Sequence, residues 1–221
     1  MTLPSPAGLA TTIKGLGIIP VVVIDDPDAA LPLAAALVEG GLPCAEITLR
    51  TSGALDALGI IAREYPEMLV GAGTVLNRSQ AQQAHESGAQ FIVSPGFSGP
   101  VVEYCQENGI AVFPGASTPT EIMTALDAGI TVLKFFPAEA MGGVAILRAV
   151  SAVFGQVEFM PTGGISSRNL ADYLSVPGVI ACGGSWMVSS PWIREGQFDQ
   201  IAQAARDARA LVTSHRSGSR P

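Results

Sequence analysis

Residues 86–133 spell one phrase three times: E-S-G-A-Q-F-I-V (86–93), E-N-G-I-A-V-F (107–113) and D-A-G-I-T-V-L (127–133). Each time a helical stretch ends, a glycine turns the chain, and a short apolar run follows. Glycine just past a helix is the left-handed cap that lets a chain double back. Gly88, Gly109 and Gly129 recur at intervals of 21 and 20 residues, enough for one helix, one strand and two short loops. Gly41 opens a similar junction into residues 44–49.

Working outward, apolar runs at 18–24, 45–49, 69–73, 91–93, 111–113, 131–135, 157–160 and 179–181 read as strands. Helix starts follow several of them. Asp26-Pro27, Asn77 with Gln80, and Thr118-Pro119 with Glu121 are N-terminal signals, the last a capping box. Strictly alternating strands and helices predict an α/β fold with a parallel sheet inside its helices. Eight units in 221 residues point to a single (β/α)₈ TIM barrel, with an open doubly wound sheet as the alternative. One domain over 1–213 is expected, with 1–16 an extra N-terminal helix capping the barrel's bottom. Residues 196–212 read as the last helix and 214–221 as an unstructured polar tail.

Composition narrows the function. Hydrophobic residues make up 48% and charged residues 14%, and the mean hydropathy is +0.39. Such a chain is neither a disordered polymer nor, with a net charge of −7, a natural partner of nucleic acid or an anionic membrane. The longest apolar run, 15–24, is too short to span a bilayer and contains Pro20. Cys44, Cys105 and Cys182 lie far apart and His85 and His215 are the only histidines. That excludes a disulfide framework and a histidine-rich metal site, and suits a reducing cytoplasm. No signal peptide is expected.

Two strands carry residues that do not belong in a barrel core. The chain has only two lysines, Lys14 and Lys134, and Lys134 sits inside T-V-L-K-F-F-P-A-E. Alternation places Val132, Lys134 and Phe136 on one face. Desolvation there disfavours the ammonium form, and a neutral amine is what Schiff-base chemistry on a ketone needs. The competing reading is a buried lysine held by one carboxylate for structure alone. In A-E-I-T-L-R (45–50), Glu46, Thr48 and Arg50 share the face opposite Ala45, Ile47 and Leu49. One strand thus offers an acid/base and a carboxylate clamp at the barrel mouth. A purely structural Glu46–Lys134 pair would be a poor stabiliser, because burying two charges costs several kcal/mol.

Glycine-rich turns at P-T-G-G-I (161–165) and C-G-G-S-W (182–186) close the seventh and eighth strands, where phosphate sites recur in these barrels. G-A-G-T (71–74) leaves space at the mouth and offers the Thr74 hydroxyl. Cys182 has no nearby base and reads as packing.

Together E-I-T-L-R-T, V-G-A-G-T-V-L-N, S-P-G, P-G-A-S-T-P, K-F-F-P-A-E, P-T-G-G-I and G-G-S-W, in order from about Gly17 to Phe198, resemble the 2-dehydro-3-deoxy-6-phosphogluconate (KDPG) and 4-hydroxy-2-oxoglutarate (KHG) aldolase family. The resemblance implies a class I aldolase, a cytoplasmic homotrimer needing no metal and no cofactor. It implies Lys134 as the Schiff-base lysine and Glu46 as the acid/base. Arg50 and Thr74 would hold the pyruvyl carboxylate, with Pro95 and Phe136 shaping that pocket. Gly163, Gly164 and Ser185 would bind phosphate, and Thr162 would lie beside the substrate hydroxyls. Its partners would be a 2-keto-3-deoxy acid phosphate and pyruvate. Some relatives carry an arginine on the first strand, whereas Gly17, Ile18 and Ile19 here are apolar, so phosphate affinity would rest on backbone donors. A phosphate-binding isomerase or epimerase barrel would keep the glycine turns but needs no lone lysine inside strand six. The galactonate epimer is an alternative substrate.

Overall fold

The structure, a computed structural model, describes residues 6–218. Eight short strands, all paired in parallel, alternate with helices: β1 (Ile18–Val22), β2 (Cys44–Thr48), β3 (Leu69–Gly73), β4 (Phe91–Val93), β5 (Ala111–Phe113), β6 (Val132–Phe135), β7 (Glu158–Pro161) and β8 (Cys182–Gly184). The helices are α1 (Pro6–Leu16), α2 (Ala30–Glu39), α3 (Ala54–Glu64), α4 (Arg78–Glu86), α5 (Gly99–Glu107), α6 (Pro119–Asp127), α7 (Gly143–Val153), α8 (Leu170–Leu174), α9 (Ser190–Arg194) and α10 (Phe198–Gly218). Six strands form one half-barrel sheet, ordered β5-β4-β3-β2-β1-β8, and β6 pairs with β7. Single bridges join the two sheets, Gly115 to Lys134 on one side and Phe159 to Val179 and Thr162 to Gly183 on the other.

Period-two alternation sorts the strand side chains into two cores. Ala45, Ile47, Leu133, Phe135 and Phe159 pack outward against the helices. Ile19, Cys44, Leu69, Phe91, Val93, Phe113 and Met160 form the inner core, and Leu9 and Ile13 of α1 plug its lower end. The last helix ties that plug down. Arg209 donates to the carbonyls of Gly15 and Leu16 at 3.1 and 2.8 Å, and Arg216 to Gly15 at 2.8 Å and to Lys14. Cations at a helix C-terminus satisfy its orphan carbonyls. These contacts carry α10 to residue 218, so residues 214–218 are helical where an unstructured tail was expected; residues 219–221 lie outside the described part. Of the expected 1–16 cap, residues 6–16 are helix and 1–5 lie outside the described residues.

Helix starts obey their signals. Thr118 accepts from the Glu121 amide at 3.4 Å, while Glu121 accepts from the Thr118 amide at 2.9 Å, and Asn77 accepts from Gln80 at 2.9 Å. Two strands depart from expectation by more than one residue. β1 stops at Val22, because the carbonyls of Val22 and Ile24 are taken by the Thr48 and Thr51 hydroxyls. The eighth strand is Cys182–Gly184 rather than 179–181. Its ladder to β1 pairs Cys182, Gly183 and Gly184 with Ile18, Ile19 and Pro20, whereas Val179 makes a single bridge to β7. The double glycine read as a turn is itself the strand. Among the described residues no helix is long and apolar enough to cross a membrane.

Candidate active site

Across the strand interior, β6 presents Lys134 and β2 presents Glu46. Lys134 Nζ lies 3.1 Å from Glu46 Oε1, and the two residues are 5% and 4% exposed. Buried charges persist only when paired, and each group here is the other's partner. Gly73 of β3 makes the pairing possible: a Cβ there would sit 2.1 Å from Glu46 Oε1. The ammonium also lies 5.2 Å from the centroid of the Phe136 ring, a cation–π distance that links the pair to the cavity above.

That cavity, about 740 Å³, opens at the C-terminal ends of the strands, the end where parallel α/β sheets place their ligands. Arg50, Phe136, Thr162, Gly163, Gly164 and Ser185 line it. Arg50, just past β2, donates through Nε to Thr74 Oγ1 at 3.2 Å and makes no ion pair among the described residues. Thr74 is the only described non-glycine residue with positive φ, at 58°. A conformation of that kind costs about 1–3 kcal/mol and persists where the surroundings impose it; here it sets the hydroxyl beside the guanidinium. Pro95 lies two residues past β4 with its carbonyl against Gly115 and is not part of the cavity wall. Thr162 is 8% exposed and packs face to face with Gly183, where a Cβ would come within 2.3 Å of its hydroxyl.

The turn after β7 is built to turn amides outward. Thr162 O accepts from Ala138 N at 2.9 Å, Gly163 O from Glu139 N at 3.1 Å, and Gly164 O from Asn169 Nδ2 at 3.1 Å. In a trans peptide the N–H points opposite the C=O. Pinning three successive carbonyls to protein donors therefore aims the N–H groups of Gly163, Gly164 and Ile165, all on the cavity wall, away from those donors. Among the described residues none of these three donates to a protein acceptor. The path needs φ of 103° and 80° at Gly163 and Gly164, which glycine alone adopts freely. Successive free amides around a turn form an anion-binding concavity, and the Ser185 hydroxyl stands on the same wall. Burial pushes the Cys182 thiol well above its ordinary range, so it offers no thiolate.

Residues 9–204 match the KDPG and KHG aldolase family. The chain belongs to that family. It is 47% identical over 191 residues to the KHG/KDPG aldolase of Escherichia coli (strain K12), covering 86% of this chain and 90% of that one. A KDPG aldolase structure from Legionella pneumophila, with pyruvate captured at low pH as a covalent carbinolamine intermediate, aligns at a TM-score of 0.87. It is 39% identical and covers 90% of this chain and 97% of its own. The aldolase of Zymomonas mobilis ZM4 with 3-phosphoglycerate aligns at 0.84 with 40% identity, covering 91% of this chain and 95% of its own.

Within the KDPG and KHG aldolase family fold, the cavity wall also contains Val21, Val23, Val188, Pro191, Trp186 and Trp192, which sequence reasoning left unassigned. Trp186 is the last residue of the quoted C-G-G-S-W motif (182–186) and could have been found there. Trp192 lies on α9, a helix of five residues with no pattern to mark it. Asn169 carried no signal, because a polar residue at a helix start reads as a cap.

Proposed function

We propose that this member of the family is a class I lyase that cleaves 2-dehydro-3-deoxy-6-phosphogluconate to pyruvate and D-glyceraldehyde 3-phosphate, and 4-hydroxy-2-oxoglutarate to pyruvate and glyoxylate. The observation that carries the reading is the buried contact of 3.1 Å between Lys134 Nζ and Glu46 Oε1, beside the cavity-wall residue Phe136. Glu46 takes a proton from the Lys134 ammonium, and the freed amine attacks the C2 ketone. Returning a proton to the carbinolamine oxygen expels water and leaves an iminium. Glu46 then removes the proton of the C4 hydroxyl, directly or through a water, and the C3–C4 bond breaks with its electrons flowing into the iminium. The aldehyde departs. The enamine is protonated at C3, and hydrolysis returns pyruvate and the free lysine. One carboxylate serves several steps because the proton shuttles.

Arg50 and Thr74 bind the pyruvyl carboxylate in this reading, the guanidinium as a charge-assisted donor. Phe136 shapes that end from the cavity wall, Pro95 standing outside the wall, and Thr162 faces the substrate hydroxyls. Gly163, Gly164 and Ser185 receive the phosphate. Arg50 is the only cation on the cavity wall among the described residues, so the phosphate end works through amides and hydroxyls. The two sheets and their bridges are read as one closed eight-stranded barrel with α1 as its lower cap, a single domain over 1–213. The enzyme is read as a cytoplasmic homotrimer. Val153, 73% exposed, and Ile146, 43% exposed, give α7 an apolar surface suited to a subunit contact.

The test is borohydride reduction in the presence of pyruvate, followed by intact and peptide mass spectrometry. The expected result is one pyruvate-derived adduct on the peptide containing Lys134. A folded protein that gains no adduct, or gains it elsewhere, overturns the Schiff-base reading.

A further inference from the structure

Asn169 occupies the N-cap position of α8 yet makes no side-chain capping bond to that helix. Its amide is turned back onto the glycine turn instead. Nδ2 donates to Gly164 O at 3.1 Å, and Oδ1 accepts from Ser166 N at 2.8 Å. Both ends of one planar group are thus spent bracketing residues 164–166. The neighbouring carbonyls of Thr162 and Gly163 are held by backbone amides that any side chain would supply, those of Ala138 and Glu139. The Gly164–Ile165 peptide is the one member of the row whose direction depends on a side chain. The loop packs closely from below as well: a Cβ on Gly164 would fall 2.5 Å from Glu139 Cγ, and Tyr173 of α8 anchors the Glu139 carboxylate through its hydroxyl.

We infer that Asn169 is a positioning residue that sets the phosphate selectivity of the site, by fixing the Gly164–Ile165 peptide so that the Ile165 amide completes the row facing the cavity. This rests on the proposed phosphate end of the pocket. The side chain touches no substrate; it acts through the carbonyl it holds. Losing it frees one peptide to rotate and removes one donor from the anion, while the lysine, the carboxylate and the pyruvyl clamp stay untouched.

The experiment compares Asn169→Ala and Asn169→Ser with the parent on two substrates, the phosphorylated six-carbon acid and 4-hydroxy-2-oxoglutarate, which has no phosphate. Serine is an excellent N-cap but is too short to reach Gly164 O, so it preserves the helix start without the bracket. The expected result in both variants is a KM for the phosphorylated substrate raised about tenfold, the weight of one hydrogen bond to a charged group, with kcat unchanged. Kinetics on 4-hydroxy-2-oxoglutarate stay at the parent level. Because both tryptophans line the cavity, inorganic phosphate binding is also read by fluorescence without turnover, and its dissociation constant rises by the same factor. Recovery by serine, or equal losses on both substrates, reduces Asn169 to a structural cap and overturns the inference. A parent that binds phosphate yet cleaves neither substrate sinks the aldolase reading alone.

Discussion

Gly73 has no Cβ because Glu46 needs the room. The same strand-end position that leaves space for the carboxylate also places it beside Lys134, so three residues from β2, β3 and β6 form one unit. Lys134→Met is expected to abolish aldol cleavage, and Glu46→Gln to lower kcat by about 10²–10⁴-fold, the usual worth of general acid–base catalysis. Gly73→Ala, by displacing the carboxylate without altering it, should match Glu46→Gln in steady-state assays. A Gly73→Ala protein with parental turnover would separate Glu46 from the chemistry. Stability follows a different rule. Each single loss strands a buried charge at about 3–5 kcal/mol, whereas the Glu46→Gln, Lys134→Met double variant removes both. Denaturant titration should show the double costing less than the two singles together. The buried Lys134–Glu46 pair was legible in the sequence because a charged side chain inside an alternating apolar strand has no solvent-facing explanation. Asn169 was not, since what distinguishes it is where its amide turns, and a polar residue before a helix looks the same whichever way it turns.

Elements were legible where their side chains carry a period. β3, β4 and β5 fall where the runs at 69–73, 91–93 and 111–113 were read. β8 was displaced by three residues because Gly183 and Gly184 have no side chains to alternate, and hydrogen bonding to β1 alone decides that segment. α6 shows a start written fully into the chain. The Ser117 amide, ahead of the Thr118 hydroxyl and amide, holds the Glu121 carboxyl below its ordinary value of 4.5. A carboxyl with a depressed folded pKa contributes stability that is complete above its unfolded pKa and fades as pH falls through the folded one. Glu121→Ala should therefore cost about 1 kcal/mol at neutral pH, in line with loss of a helix cap, and less at pH 3. Chemical unfolding at the two pH values checks the sign; an equal loss at both would show that the charge on Glu121 plays no part.

At the scale of the molecule, the cavity opens at one end of the strands and α1 packs at the other. α1 fills the lower end with Leu9 and Ile13, and its last carbonyls are satisfied by α10 rather than by solvent. Truncation after residue 208 removes both arginines. The truncated protein should lose several °C in Tm and become open to proteolysis within α1, while the Lys134–Glu46 pair, at the far end, stays formed. Borohydride trapping of pyruvate by the truncated protein at low temperature reads the second point, and limited proteolysis reads the first. A truncated protein whose α1 resists cleavage as the parent does would show that the helix needs no tether.

The bonds from Arg209 and Arg216 to the end of α1 join residues 193–202 positions apart. In synthesis α1 precedes the arginines that satisfy its end by at least 193 residues. At about 5–20 residues per second, the carbonyls that end α1 wait roughly ten to forty seconds for those arginines and are held by water meanwhile. The tether is thus a late bond, made only after every inner-core residue that Leu9 and Ile13 pack against has been synthesised.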